Sequence, residues 1–86
     1  MLLYHRTSKL AADEIIANRS WRSRENTQEV YFSSIPDGQT EGYGAVVVCV
    51  DVPESVAELE DEFPDGEQHF RVAVSDLAGL PVSLHR

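Results

Sequence analysis

The run Ala45-Val46-Val47-Val48-Cys49-Val50 narrows most sharply what this chain can become. These six residues, four of them valine, fall far short of the roughly 20 that a membrane-spanning helix needs. β-Branched side chains favour an extended backbone, so the run is read as a strand. Cys49 lies inside it and is the only cysteine, which leaves no partner for a disulfide within the chain and makes a buried, inert thiol the expectation.

The remaining elements are placed around that strand. Met1 to His5 is apolar and β-prone, and Thr7-Ser8 offers hydroxyls to cap a helix from Lys9 to Asn18. Along that helix Leu10, Ala11, Ala12, Ile15 and Ile16 form an apolar stripe, read as core. Arg19 to Gln28 is polar and aperiodic apart from Trp21, which is read as an anchor beneath the loop. Val30-Tyr31-Phe32-Ser33 is a second strand segment, Ile35-Pro36-Asp37-Gly38 has turn chemistry, and Gly42-Tyr43-Gly44 sets Tyr43 at the entrance to the valine strand. After Pro53, the spacing of Val56, Leu59 and Phe63 predicts a short helix with a wet acidic face. Glu67 to Val74 alternates as a strand, and Asp76 to Pro81 turns into a short terminal strand, Val82 to Leu84. The order gives an α+β fold with an antiparallel or mixed sheet, residues 1–86 forming one domain.

Charge limits the partners. Seven Lys and Arg against 15 Asp and Glu give a net charge of −8 in 86 residues, poorly suited to holding a nucleic-acid backbone through counterion release. The distribution is uneven: Met1 to Arg24 carries +3 and the remainder −11. Arg6, Lys9, Arg19, Arg22 and Arg24 are read as solvated side chains, with a lip for an anion such as a diphosphate as the alternative. The carboxylates between Glu54 and Glu62 fan out along the expected helix, which argues against a metal site. No signal peptide, membrane span or zinc-ligand spacing is visible, and a reducing, cytoplasmic setting is the expectation.

Leu3-Tyr4-His5-Arg6-Thr7-Ser8 resembles the His-Gly-Thr strand of ADP-ribosyltransferases, and Val30-Tyr31-Phe32-Ser33 resembles the Gly-Ile-Tyr-Phe-Ala segment of the poly(ADP-ribose) polymerase and diphtheria-toxin-like branch. Tyr43 ahead of the valine strand is similar to that branch's second tyrosine, and His69-Phe70-Arg71-Val72 to its closing Glu-Tyr-x-Val strand. The ordered set spans nearly the whole chain. The resemblance implies a small split antiparallel or mixed sheet with one or two short helices, and an NAD pocket drawing on His5, Arg6, Thr7, Tyr31, Ser33 and Tyr43. His5 would bind the adenosine-side ribose, and Tyr31 and Tyr43 would flank the nicotinamide. Imidazole can donate and accept at a sugar hydroxyl, and tyrosine rings offer apolar faces to a flat heterocycle.

Three departures bear on activity. Arg6 replaces the family's glycine, and the chain is shorter than typical catalytic members. His69 stands at the position of the catalytic glutamate. Loss of such a preorganised charge costs roughly 3–4 kcal/mol of transition-state stabilisation and affects binding far less. Glu67, two residues earlier, falls on the same strand face and would reach the site through a bulge or register shift; as part of the acidic turn Pro64-Asp65-Gly66 it would instead point to water. Taken singly, His5, Tyr31, Tyr43, His69 and Arg71 also read as ordinary packing or surface residues. The expected function is NAD binding with possible transfer of ADP-ribose to a protein or small acceptor, with Glu67 and His69 as the candidate catalytic pair. RNA 2′-phosphotransfer on the same fold would need basic contacts that this chain lacks. A non-catalytic module whose acidic Glu54 to Glu67 region meets a basic protein is the alternative.

Overall fold

The computed structural model describes residues 1–21, 28–38 and 41–85. In chain order the elements are β1 (Leu2–Thr7), α1 (Lys9–Asn18), β2 (Glu29–Ser33), β3 (Val46–Asp51), β4 (Glu58–Glu62), β5 (Gln68–Ala73), α2 (Val74–Leu77) and β6 (Val82–Leu84), with single 3-10 turns at Glu41–Tyr43 and Glu54–Val56. The strands form one sheet in the order β4-β5-β2-β1-β3-β6, antiparallel in every pairing. The fold is α+β, and of the two sheet types expected it has the antiparallel one.

The sheet consists of two ladders joined at a narrow seam. β1 and β3 pair from Leu2↔Asp51 to Thr7↔Val46, and β2 and β5 from Glu29↔Ala73 to Ser33↔His69. Between β1 and β2 the register pair is Tyr4↔Ser33. Next to it His5 Nδ1 lies 2.9 Å from the Tyr31 carbonyl oxygen. A carbonyl only accepts, so Nδ1 carries the proton and a side chain substitutes for the backbone ladder where the strands part.

Residues opposed across a ladder share a face. Leu3, Val48, Val50, Val30, Phe32, Phe70 and Val72 line one face and are buried there beneath Ala12 and Ile15 of α1, Trp21 and Leu77 of α2. Three rings close this core at the seam: the centroids of His5, Trp21 and Phe32 lie 5.5–5.7 Å apart. α1 begins as expected, with Ser8 as its N-cap accepting from the Ala11 N–H at 3.2 Å. It ends at Arg19, whose φ of 55° closes the helix through a bond from its N–H to the Ile15 carbonyl.

Two expectations are corrected. Leu10 is exposed instead of buried, so the core stripe of α1 is narrower than its apolar spacing implied. The helix expected after Pro53 is a single 3-10 turn followed by β4, an edge strand whose five residues are all exposed. Pairing with β5 overrides the helical spacing. A bulge between Leu59 and Asp61 sets Glu60 outside the register, and both Glu58 and Glu60 reach Arg71, at 2.7 and 3.1 Å. Glu29 completes the clamp at 3.4 Å. Among the described residues no helix is long and apolar enough to cross a membrane.

Candidate functional site

The sheet separates the expected site residues. Tyr4 pairs with Ser33, Ser33 with His69 and Tyr31 with Arg71, so these side chains share the face opposite the core, and alternation along β1 adds Arg6. His5 and Thr7 lie on the other face with α1 and Trp21. The eight residues thus form a group on the open face, a pair on the covered face, and Tyr43, highly exposed on the turn Glu41–Tyr43.

The open face carries the most constrained chemistry. Glu67, for which both an inward path and an outward one from its acidic turn were open, is buried, its side chain 0% exposed. The backbone explains this: Phe63 N–H bonds the Glu67 carbonyl at 2.8 Å and Asp65 Oδ1 accepts from the Glu67 N–H at 3.0 Å. The chain therefore turns sharply through Gly66, φ 95°, and enters β5 with the carboxylate directed inward. There Oε2 lies 2.5 Å from His69 Nε2 and accepts from the Ser33 hydroxyl at 3.3 Å. Gly38, φ 98°, packs so closely that a Cβ there would overlap Glu67 Oε1.

The arrangement fixes His69. A carboxylate accepts, so Nε2 carries the proton on the Glu67 side and Nδ1 is the ring nitrogen turned away from the pair. The Phe63 ring abuts the imidazole edge at 4.8 Å between centroids, and the side chain remains 19% exposed. A buried carboxylate orienting a partly exposed imidazole has the form of an acid–base pair, in which the ring can carry a proton and the carboxylate can stabilise the imidazolium. Ser33 donates to the carboxylate, not to the imidazole, so it positions Glu67 and is not an activated nucleophile.

Arg6 borders the same face. Its side chain is 13% exposed; Nη1 donates to the Gly44 carbonyl at 3.0 Å and Nη2 to the Pro36 carbonyl at 2.9 Å, with Asp37 3.6 Å away. Nε is buried without a hydrogen-bond partner among the described residues. The glycine at 44 has a steric cause, because a Cβ there would overlap the backbone of Thr7. Tyr31 is exposed on β2, and Arg71 beside it is held by Glu29, Glu58 and Glu60, which favour its charged form.

On the covered face a cavity of about 280 Å³ opens between β1 and α1, lined by His5, Thr7, Ser8, Glu14, Ser20 and Trp21 with Leu10, Ala11 and Ile15. Burial pushes the His5 pKa below its ordinary value, partly offset by the bond to the Tyr31 carbonyl, so the ring is held neutral. Cys49 is half-buried on the face opposite the core instead of fully buried as expected, because its strand position pairs it with Tyr4; desolvation and the neighbouring Asp51 raise its pKa. Among the described residues no group of His, Cys, Asp and Glu converges as a metal site. Arg22 and Arg24 of the expected basic lip lie outside the described residues.

No protein-family model matches the chain, and no curated protein or solved structure is similar to it at a significant level.

The sequence marked Glu67, His69 and Ser33 but not what closes over them. The spacing puts Phe63 on a helix, and Gly38 reads only as turn chemistry. The Asp37-Gly38 dipeptide was the available signal for a left-handed residue close to other atoms.

Proposed function

We propose that the chain is a minimal, NAD-binding, mono-ADP-ribosyltransferase-like domain whose reacting centre is the Glu67–His69 pair on the open face. One observation carries this reading: a fully buried carboxylate held by Ser33 and bonded to a partly exposed imidazole, on a face that also presents Arg6 and Tyr31. An 86-residue fold has little interior in which to bury a carboxylate, and such groups cluster at sites of chemistry.

The chemistry asks three things of these residues. Transfer breaks the bond between the ribose C1′ and the nicotinamide nitrogen, the electron pair passing into the ring. The acceptor bonds C1′ and gives up a proton. His69 Nδ1 takes that proton, and Glu67 stabilises both the resulting imidazolium and positive charge developing on the sugar. Tyr31 offers an exposed ring face for a flat heterocycle. Arg71 is engaged by three carboxylates and Arg6 by two carbonyls and Asp37, so a phosphate would pair with Arg6 once its bond to the turn is released.

An NMR titration of the labelled protein with NAD tests the reading. Shifts confined to Tyr31, Ser33 and the Glu67 to Arg71 segment support it, and nicotinamide release should then drop by roughly 100-fold or more in Glu67→Gln. No shift at millimolar NAD removes the reading. A second reading, a protein-binding module, is favoured by β4, whose exposed Glu58, Glu60, Asp61 and Glu62 line a sheet edge. It requires a basic partner whose binding weakens steeply with salt.

A further inference from the structure

The structure assigns Arg6 as the latch of a turn that shuts the Glu67 carboxylate off from solvent. The turn is Ile35-Pro36-Asp37-Gly38, and Gly38 closes against Glu67 Oε1. Its attachments come from two places. Ser33 Oγ accepts from the Ile35 N–H at 3.2 Å, anchoring the start of the turn to β2. The guanidinium of Arg6 reaches across from β1 to the Pro36 carbonyl and to Asp37, and its other arm holds the Gly44 carbonyl ahead of β3. One side chain thus ties the turn to the ladder on the far side of the seam.

The latch is built to release. Arg6 is charged and largely buried, yet its close partners are neutral carbonyls. Among the described residues its one nearby carboxylate, Asp37, is 74% exposed and at 3.6 Å, and Nε is unpartnered. A guanidinium so placed binds the turn by one hydrogen bond, to the Pro36 carbonyl, and by weak, screened charge pairing with Asp37, and gains nothing from its third donor direction. Gly38 contributes the other half of the device. At φ 98° it is the residue type that lets backbone lie directly on a carboxylate, and a Cβ there forces either the turn or the Glu67 carboxylate to shift. Closed, the turn leaves His69 as the exposed end of the pair; open, it exposes the carboxylate itself. The device does not depend on which substrate the site takes.

Carboxylate labelling of the full chain with a water-soluble carbodiimide and an amine, resolved by peptide mass spectrometry, reads the latch without any nucleotide. Its outcome is therefore separate from that of the NAD titration. In the wild type, Glu67 labels far more slowly than exposed Glu54. Arg6→Gln removes the charge and the fork, and labelling at Glu67 is expected to rise by about tenfold or more while amide exchange in the core strand β3 is unchanged. Gly38→Ala, with Arg6 intact, breaks the contact between turn and carboxylate and gives the same selective rise, so the test stands even where Arg6→Gln fails to fold. Unchanged Glu67 labelling in a folded variant overturns the assignment. So does faster exchange throughout β3 alongside the labelling, because Arg6 would then be holding the sheet and not the turn.

Discussion

Ser33 uses both of its hydrogen-bonding roles at the site, accepting from Ile35 N–H and donating to Glu67. Ser33→Ala leaves a buried carboxylate with one donor fewer and a backbone N–H without its acceptor. Urea unfolding should show a loss of about 1–3 kcal/mol, the usual cost of leaving buried polar groups unsatisfied; a change within a few tenths would mean that water replaces the hydroxyl. His5 supplies a second expectation at this scale. Burial lowers its pKa from 6.5, so below pH 6.5 the unfolded chain takes up a proton that the folded chain refuses, until the lowered value is reached. Stability therefore falls as pH drops through that window. His5→Phe keeps a ring against Trp21 and Phe32 but cannot titrate, so its unfolding midpoint should vary less with pH; parallel slopes for the two proteins would remove His5 as the cause. Sequence made these residues visible unequally. The burial of Glu67 was hidden because three turn-forming residues precede it, a context that normally directs a carboxylate to water, whereas strand alternation did pair it with His69.

Among the elements, α1 and the terminal strand β6 were legible to the residue, because capping by Ser8 and the turn chemistry before Val82 act locally. β4 was not. Val56, Leu59 and Phe63 repeat at helical spacing among glutamates, which favour helix, and nothing local signals the bulge that makes this segment an edge strand. The strand depends on a cation outside it. Arg71 engages Glu58 and Glu60 of β4 and Glu29 of β2, joining three strands on the open face. Arg71→Ala leaves those carboxylates close together with their mutual repulsion uncompensated. Amide exchange along Glu58–Glu62 should quicken at low ionic strength, and the difference from wild type should narrow as salt screens the repulsion. Equal exchange in both proteins at low salt would show that backbone pairing with β5 suffices to hold the edge.

For the whole molecule, the sheet seam and the charge decide what can approach the open face. The strands form one six-stranded sheet, and periodicity cannot show the seam between its ladders, because register between distant strands is fixed by tertiary contacts such as His5 with the Tyr31 carbonyl. The charge was legible from composition, and it separates the two functional readings by sign. The molecule measures 35 × 27 × 24 Å and carries −8. At about 0.01 M salt the screening length, roughly 30 Å, matches those dimensions, so a ligand with one net negative charge meets the repulsion of the whole molecule. At about 0.15 M it shrinks to roughly 8 Å and only nearby groups act. With the net charge about 20 Å away in water, the repulsion removed is about 0.7 kcal/mol, roughly a threefold gain in affinity. NAD should therefore bind more tightly at physiological than at low salt, as a titration at both ionic strengths would measure. A basic protein partner docked on β4 would respond in the opposite direction, losing affinity with every addition of salt. If NAD binding instead weakens steadily from the lowest salt, local pairing with Arg6 outweighs the field of the rest of the chain, and the acidic edge has no say in what the site admits.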